Sequence, residues 1–285
     1  MQNRVVVTGM GVAAPNAVGL ANFYKALVEM RSGIAFIPKL EKLKFSCQIA
    51  AIPNIDEELL NQYFSQLEQK GLKATGLIYG VIAGLQAYED AKLKRLANHI
   101  DYDTAVIFGT GILGVDKLHE AFHLIDAAKV RRLGSTSVVQ TMASGISAYL
   151  GGKIGAGNQV TTNSSACTTG TEALLMGYER IKNGKAKRAL VGSCSDSGPY
   201  VWGGFDALRI LPNQFNENPE KASKPLDKDA SGFVPSSGAG AIMLESLTSA
   251  LERNATIYAE ILGGNINSGG QRQGGSMTAP NPKSV

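Results

Sequence analysis

The chain has 285 residues, 44% hydrophobic and 18% charged, which is enough apolar material for one large α/β unit or two ordinary domains and excludes a disordered chain. A formal net charge of +4 lacks the dense basic stripe of a nucleic-acid binder, but it suits docking to an acidic partner. Three cysteines (Cys47, Cys167 and Cys194) without a CxxC pair make a poor disulfide framework and point to a reducing cytoplasm; no apolar run has the length of a membrane span, and no basic-plus-apolar leader precedes the first strand.

In chain order, "RVVVTGMGV" (4–12) reads as a buried strand running into glycines, and "LANFYKALVEM" (20–30) follows with helical spacing. A polar, less patterned stretch occupies 32–73. "TGLIYGVIAGLQAYEDAKL" (75–93) predicts a long helix whose small residues let it approach a neighbour closely. "TAVIFGTGILG" (104–114) is a second strand ending in glycines, and 115–129 reads as helical. "SVVQTMASGISAYLGGKIGA" (137–156) predicts one helix ending in glycines. "QVTTNSSAC" (159–167) reads as a strand, "TTGTEALLMGYERIKNG" (168–184) as a helix closed by Asn-Gly, and "RALVGSCSD" (188–196) as a strand. Residues 198–237 read as loop-rich; "GAGAIMLE" (238–245) and "TIYAEILGG" (256–264) are two more strands. Strands alternating with helices predict a mostly parallel sheet covered on both faces. The last strand echoes the first and is read as a possible opening of a second copy of the same unit.

Several patterns compete to carry chemistry. "GMGVAA" (9–14) matches the dinucleotide-binding outline G-x-G-x-x-A after a strand, with Glu29 about twenty residues on; the preferred reading is a tight turn at a crowded sheet edge, because Pro15 and Asn16 interrupt the passage into a helix. His119 and His123 lie four apart on one helical face, but no HExxH pattern or neighbouring cysteine supports a metal, and His99 lies in a polar loop. Cys47 in "KFSCQIA" and Cys194 in "VGSCSD" read as packed strand residues. Cys167 in "NSSACTTGTEAL" differs. It sits at a strand-to-helix corner among Ser, Ala, Thr and Gly, where the positive end of a helix dipole favours a thiolate and unpaired N–H groups can hold an oxyanion. Placement alone leaves a nucleophile and a buried helix-capping cysteine both open.

The motifs then agree with a family. "SSACTTG" (164–170) resembles the nucleophile corner of β-ketoacyl-acyl-carrier-protein synthases. "VVVTGMGVAAPNAVG", "VIFGTGILG", "GGFDALRIL", "KPLDKDASGFVPSSGAGAIMLE" and "SMTAP" resemble further segments of that family in the same order, over essentially the whole chain and closest to the elongating, type II enzymes. The resemblance implies a thiolase-like fold, α/β and layered α-β-α-β-α with mixed, mostly parallel sheets. Residues 1–254 would form the half carrying the nucleophile and 255–285 the start of the second half.

It also implies a reaction. Cys167 accepts an acyl chain as a thioester, and malonyl-carrier protein loses CO₂ to give the carbanion that attacks it. Ile112 and Phe205 are expected to line the acyl pocket and Thr278 to bond the phosphopantetheine arm, while Lys70, Lys73 and Arg209 meet an acidic acyl carrier protein. No metal or further cofactor is implied, and the expected assembly is a homodimer or a heterodimer with another ketosynthase-like subunit.

The departures are specific. The family's two histidines and lysine for decarboxylation lie in later segments with G-T-x-x-x-D and K-x-x-x-G-H patterns, and none of His99, His119 or His123 matches them. The 285 residues are therefore expected to be a portion of a longer protein, able to be acylated but slow to condense alone. Ala230 and Ser231 replace the Arg and acid of D-K-x-R-D-G-F, Ser237 replaces the acid of G-[DE]-G-A-G, and Ser276 replaces the histidine before Met-Thr. These changes suit a specialised branch rather than housekeeping fatty-acid synthesis, with pigment-like polyene or polyketide pathways as the candidates. The competing expectation is a non-catalytic partner subunit of the chain-length-factor kind, against which the retained Cys167 argues.

Overall fold

The computed structural model describes residues 3–94 and 98–269. Thr278, Ser276 and the rest of "SMTAP" lie outside the described residues.

The elements run β1 (Val5–Ala14), β2 (Ala17–Val18), α1 (Leu20–Val28), β3 (Ile34–Phe36), α2 (Pro38–Lys42), β4 (Ile49–Ala51), α3 (Glu57–Tyr63), α4 (Gln66–Gln69) and α5 (Thr75–Asp90). They continue with β5 (Thr104–Thr110), α6 (Val115–Asp126), α7 (Ser137–Thr141), α8 (Gly145–Ile154), β6 (Val160–Thr161), α9 (Thr169–Lys182), β7 (Arg188–Ser195), α10 (Pro199–Ala207), β8 (Gly238–Ser246), α11 (Leu247–Glu252) and β9 (Ala259–Ile261). Among the described residues the main sheet has seven strands in the order β2-β1-β8-β7-β5-β6, with β9 also on β1; β3 and β4 form a separate ribbon.

Alternation along the strands splits the apolar residues between two layers. Val106, Phe108, Leu190 and Met243 face α5 and α8, packing with Leu77, Leu85, Ile146 and Leu150. Their neighbours Ala105, Ile107, Ala189, Val191 and Leu244 face the other way, against Ala173, Tyr178 and Ile181 of α9. A fully buried Leu, Ile or Phe such as Leu85, Ile146 or Phe108 contributes roughly 1.5–3 kcal/mol. The small residues of α5 work as the sequence predicts: a Cβ on Gly80 would stand 2.6 Å from Ile146 Cδ1, and one on Gly84 would stand 2.7 Å from Leu150 Cδ2.

The glycines of "GMGVAA" lie inside β1, not in a turn. A Cβ on Gly9 would be 2.7 Å from the Ala91 amide nitrogen, and one on Gly11 would be 2.7 Å from that of Ala87. Gly9 and Gly11 therefore let α5 close on β1, and the phosphate-cradle geometry of a dinucleotide site is not there.

Four expectations need correction. The sheet is mixed, but its parallel part is only β6-β5-β7; β8 is antiparallel to β7 and to β1, because residues 196–237 return the chain beside β7 without a crossover helix. The single helix over 137–156 is two, because Met142 turns to an extended conformation (ψ 135°) after α7 and the backbone of Gly145 passes so close to Val139 that a Cβ would be 2.9 Å from its carbonyl carbon. The strand over 159–167 keeps only Val160 and Thr161 before the chain turns toward Cys167. The loop-rich 198–237 contains α10, which starts with Pro199 at its first turn and buries Trp202.

Candidate active site

Cys167 stands on a one-turn 3₁₀ helix, Ala166–Thr168, that leads directly into α9. Ala166, just before it, has φ +50°, a left-handed conformation costly for a residue with a Cβ. The corner holds this shape through its own hydroxyls. Thr169 Oγ1 accepts from Ser165 N (2.8 Å) and donates to Ala166 O (2.6 Å), while Thr168 Oγ1 donates to Ser165 O (2.8 Å). The Ser and Thr around the sulfur thus fix the turn that presents it.

Three strand ends meet under this corner. Thr110 N at the end of β5 donates to Asn163 O (3.1 Å), and Thr110 Oγ1 donates to Ile112 O (2.9 Å). Gly109 is closely covered, since a Cβ there would fall on Thr169 Cγ2 and stand 2.7 Å from Asn163 Oδ1, and Gly170 faces Ser193 of β7. The sulfur therefore sits over the carboxyl ends of the parallel strands β5 and β7, where open α/β sheets place their ligands.

Cys167 is exposed, whereas Cys47 and Cys194 are buried, and all three are free thiols. Burial pushes both the Cys47 and the Cys194 thiols up, away from the thiolate. Cys47 packs with Ile49, Leu211 and Ala222, and Cys194 sits in the α5 layer, so both are core residues as the sequence suggested.

The other expected positions fall into groups. Ile112 follows β5, is joined to the corner through Thr110, and is 46% exposed. Phe205 on α10 packs edge-on against Phe233 (5.4 Å between ring centroids), and Arg209 is exposed in the turn after α10 with φ +56°. The bonds that join Ile112 to the Cys167 corner do not include these two; they belong to α10 and the 232–234 loop. Lys70 is exposed at the end of α4. Lys73 pairs with Glu120 (2.8 Å), which also binds Lys117. His119 stacks on Tyr200 and meets His123 edge-on, with the two Nε2 atoms 3.2 Å apart, and the described residues contain no cluster of three or more metal-ligating side chains. Where the family carries Arg and an acid, Ala230 lines a cleft of about 400 Å³ beside Phe233, and Ser231 Oγ is buried with no hydrogen-bond partner among the described residues.

Sequence reasoning missed Asp196. It lies 2% exposed behind β7 and accepts from Gly76 N (2.6 Å) in the first turn of α5 and from Val115 N (3.0 Å) at the start of α6. Burial raises its carboxyl, against the pull of these amides. One side chain thus caps two helices whose own N-caps, Ala74 and Gly114, supply no side-chain bond. The only signal in the sequence was an Asp after a strand, which reads equally as a turn residue.

Comparison with known proteins agrees with this geometry. A family model described as "Beta-ketoacyl synthase, N-terminal domain" matches residues 2–250. The chain is 32% identical over 266 residues to 3-oxoacyl-[acyl-carrier-protein] synthase 2 of Vibrio harveyi, covering 92% of this chain and 62% of that protein. Among solved structures it resembles a ketosynthase bound to the hexaketide in complex with the acyl-carrier protein of a type II polyketide synthase (26% identity, TM-score 0.76, 91% of this chain and 62% of that one). It also resembles the ishigamide ketosynthase/chain length factor (25% identity, TM-score 0.78, 92% and 63%). The chain spans a little under two thirds of the length of the relatives it matches.

Proposed function

Because the chain belongs to the β-ketoacyl synthase family, we propose that Cys167 is the acyl acceptor of a 3-oxoacyl-carrier-protein synthase acting in fatty-acid or polyketide assembly. The sulfur attacks the thioester carbonyl of an acyl group carried on an acyl carrier protein. A sulfur–carbon bond forms, the carrier's pantetheine sulfur leaves as thiol, and the acyl chain stays on Cys167. Malonyl-carrier protein then loses CO₂, its carbanion attacks the cysteinyl thioester, and Cys167 is released as the 3-oxoacyl-carrier product forms. The observation that carries this reading is the contrast among the three thiols: Cys167 alone is exposed, on a strained corner at the carboxyl ends of β5 and β7.

Within this reading Ile112 and Phe205 flank the acyl chain, Thr278 bonds the pantetheine arm, and Lys70, Lys73 and Arg209 meet the acidic carrier. The similarity to a ketosynthase in complex with its carrier protein supports that partner. The phosphopantetheine arm is substrate, borne by the carrier, and no other cofactor enters the scheme. A dimer with a like or an unlike ketosynthase-like subunit is the proposed assembly, supported by the similarity to a ketosynthase/chain length factor. The exposed cysteine argues against a purely non-catalytic partner role. Three free thiols suit the cytoplasm as setting, and no helix among the described residues is long and apolar enough to cross a membrane.

The test is acylation. The chain is mixed with an acyl-carrier thioester, digested, and its peptides weighed. The acyl mass is expected on the Cys167 peptide, with none on Cys47 or Cys194, and Cys167→Ala is expected to abolish it. Equal labelling of Cys167→Ala overturns the assignment.

A further inference from the structure

Asn163 is bonded on three sides of the nucleophile corner yet leaves one of its own atoms without a partner. Its amide nitrogen donates both hydrogens, to Thr169 O (2.9 Å) in the first turn of α9 and to Glu172 Oε2 (3.1 Å) one turn further on. Its backbone oxygen accepts from Thr110 N at the end of β5 (3.1 Å). Its side-chain oxygen is buried with no donor among the described residues and lies over the bare Cα of Gly109.

A buried amide oxygen without a donor is disfavoured by about 1–3 kcal/mol, so the orientation must answer to something else. Turning the amide over would set that oxygen against two acceptors, Thr169 O and the Glu172 carboxylate. The acceptors fix the amide, and the amide fixes the spacing between the end of β5 and the opening of α9. Cys167 lies on the short segment between those two anchors, on a turn that already holds Ala166 at positive φ. Without the clamp, the Thr168 and Thr169 hydroxyls hold the turn together but do not tie it to the sheet.

We propose that Asn163, locked by Glu172, is the positioning residue that sets where Cys167 stands over the sheet. The consequence for acyl transfer rests on the function proposed above; the consequence for the sulfur's placement and reactivity does not. Charge is scarce around the amide: β5 carries no ionisable side chain, Arg188 of β7 lies at that strand's far end bonded to Asp101, the Cys194 thiol faces Thr110, and Glu172 is the ionisable group that bonds Asn163 directly. Asn163→Asp replaces the donor with a second carboxylate facing Glu172 and Thr169 O.

The experiment measures the rate at which iodoacetamide alkylates Cys167, read from its peptide mass, from about pH 5.5 to about pH 8.5, with the unfolding midpoint recorded for each protein. Acylation by an acyl-carrier thioester is measured in parallel. At the upper pH, Asn163→Asp is expected to slow alkylation at least about tenfold relative to the parent chain, with the ratio closing toward the lower pH as the paired carboxylates take up a shared proton. Adding Glu172→Gln, which removes one charge, is expected to recover at least about threefold of the loss. Glu172→Gln alone keeps an acceptor oxygen and is expected to stay within about twofold.

An Asn163→Asp chain that reacts within about twofold of the parent across the range overturns the proposal. So does a slowing that is independent of pH and unrelieved by Glu172→Gln, because a role in folding alone produces that. If Asn163→Asp does not fold, Glu172→Lys decides: it sets an ammonium against the same amide hydrogens from a half-buried position and must slow alkylation, and a parent-like rate overturns the proposal. If alkylation behaves as expected while the parent chain takes no acyl group from the carrier, the clamp stands and the acyl-transfer reading fails.

Discussion

Gly11 shows how a single residue can be misread when only its spacing is seen. In "GMGVAA" it looks like the middle glycine of a phosphate cradle, yet its Cα faces the backbone of α5, where a methyl group would fall on the Ala83 carbonyl oxygen and 2.7 Å from Ala87 N. Those are helix backbone atoms and have no rotamer in which to move aside. Gly11→Ala is therefore expected to cost about 3 kcal/mol of stability, seen as a lower urea midpoint, and NADH is expected to leave the midpoint of the parent chain unchanged. A midpoint that rises with NADH would restore the dinucleotide reading. The cysteines were legible by contrast, because a strand-embedded cysteine and one among small polar residues at a corner differ in local sequence, and the structure buries Cys47 and Cys194 while exposing Cys167. Asn163 and Asp196 were not legible. Asp196 takes the amides of Gly76 and Val115, which only the fold brings near; the side-chain partners of Asn163, Thr169 and Glu172, are close in sequence, but the Thr110 amide that ties its backbone to β5 is not, and no local pattern encodes those arrivals.

At the level of elements, the junction of α4 with α8 offers a pH test. Burial alone pushes the Glu68 carboxyl up, but Lys153, Tyr149 and Ser65 all bond it and hold it to about 2. Lys153 Nζ, from α8, stands 2.7 Å from Glu68 Oε1 and also lies over the rings of Phe64 and Tyr149. A carboxyl held below its ordinary 4.5 in the folded chain contributes stability in full above 4.5 and loses it as pH falls toward about 2. Glu68→Gln is thus expected to be less stable than the parent by on the order of 1–2 kcal/mol at pH 7, after discounting for solvent screening at a partly exposed site. The gap should shrink steadily between about pH 4.5 and about pH 2. Urea midpoints at several pH values check it, and a gap that stays constant into acid refutes the ionic origin. Little in the local pattern announces this junction. Elements with a sustained apolar period, such as β1, α5, β5, α9, β7 and β8, were readable; α4 has four residues, α7 and α8 are divided by a backbone approach at Gly145, and α10 hides behind Pro199 and paired glycines. Each of these is set by tertiary contact more than by its own pattern.

For the molecule as a whole, the sheet separates two jobs along its strands. The Cys167 corner lies at the carboxyl ends of β5 and β7, while the opposite ends of the same strands are pinned by charge. Glu245 on β8 is fully buried; Arg253 reaches it at 2.6 Å, Ser249 Oγ at 2.7 Å and Arg188 at 3.8 Å, and Arg188 in turn bonds Asp101 (3.1 Å) and Thr104 (3.0 Å) where β5 begins. Alternating strands and helices predicted the layers correctly, but not that β8 would return antiparallel and carry a buried acid into this network, since topology depends on where a loop-rich segment delivers the chain. Removing that acid leaves two largely buried guanidinium groups without their shared carboxylate. Glu245→Ala is expected to cost about 3–5 kcal/mol in urea unfolding, and Glu245→Gln less, because an amide oxygen still accepts from Arg253 and Ser249. If the two ends of the sheet are separate in function, the folded fraction of either variant alkylates Cys167 with iodoacetamide at the parent rate, within about twofold. A stable Glu245→Gln protein whose Cys167 reacts tenfold more slowly would show that the network at the strand starts reaches the corner at their ends.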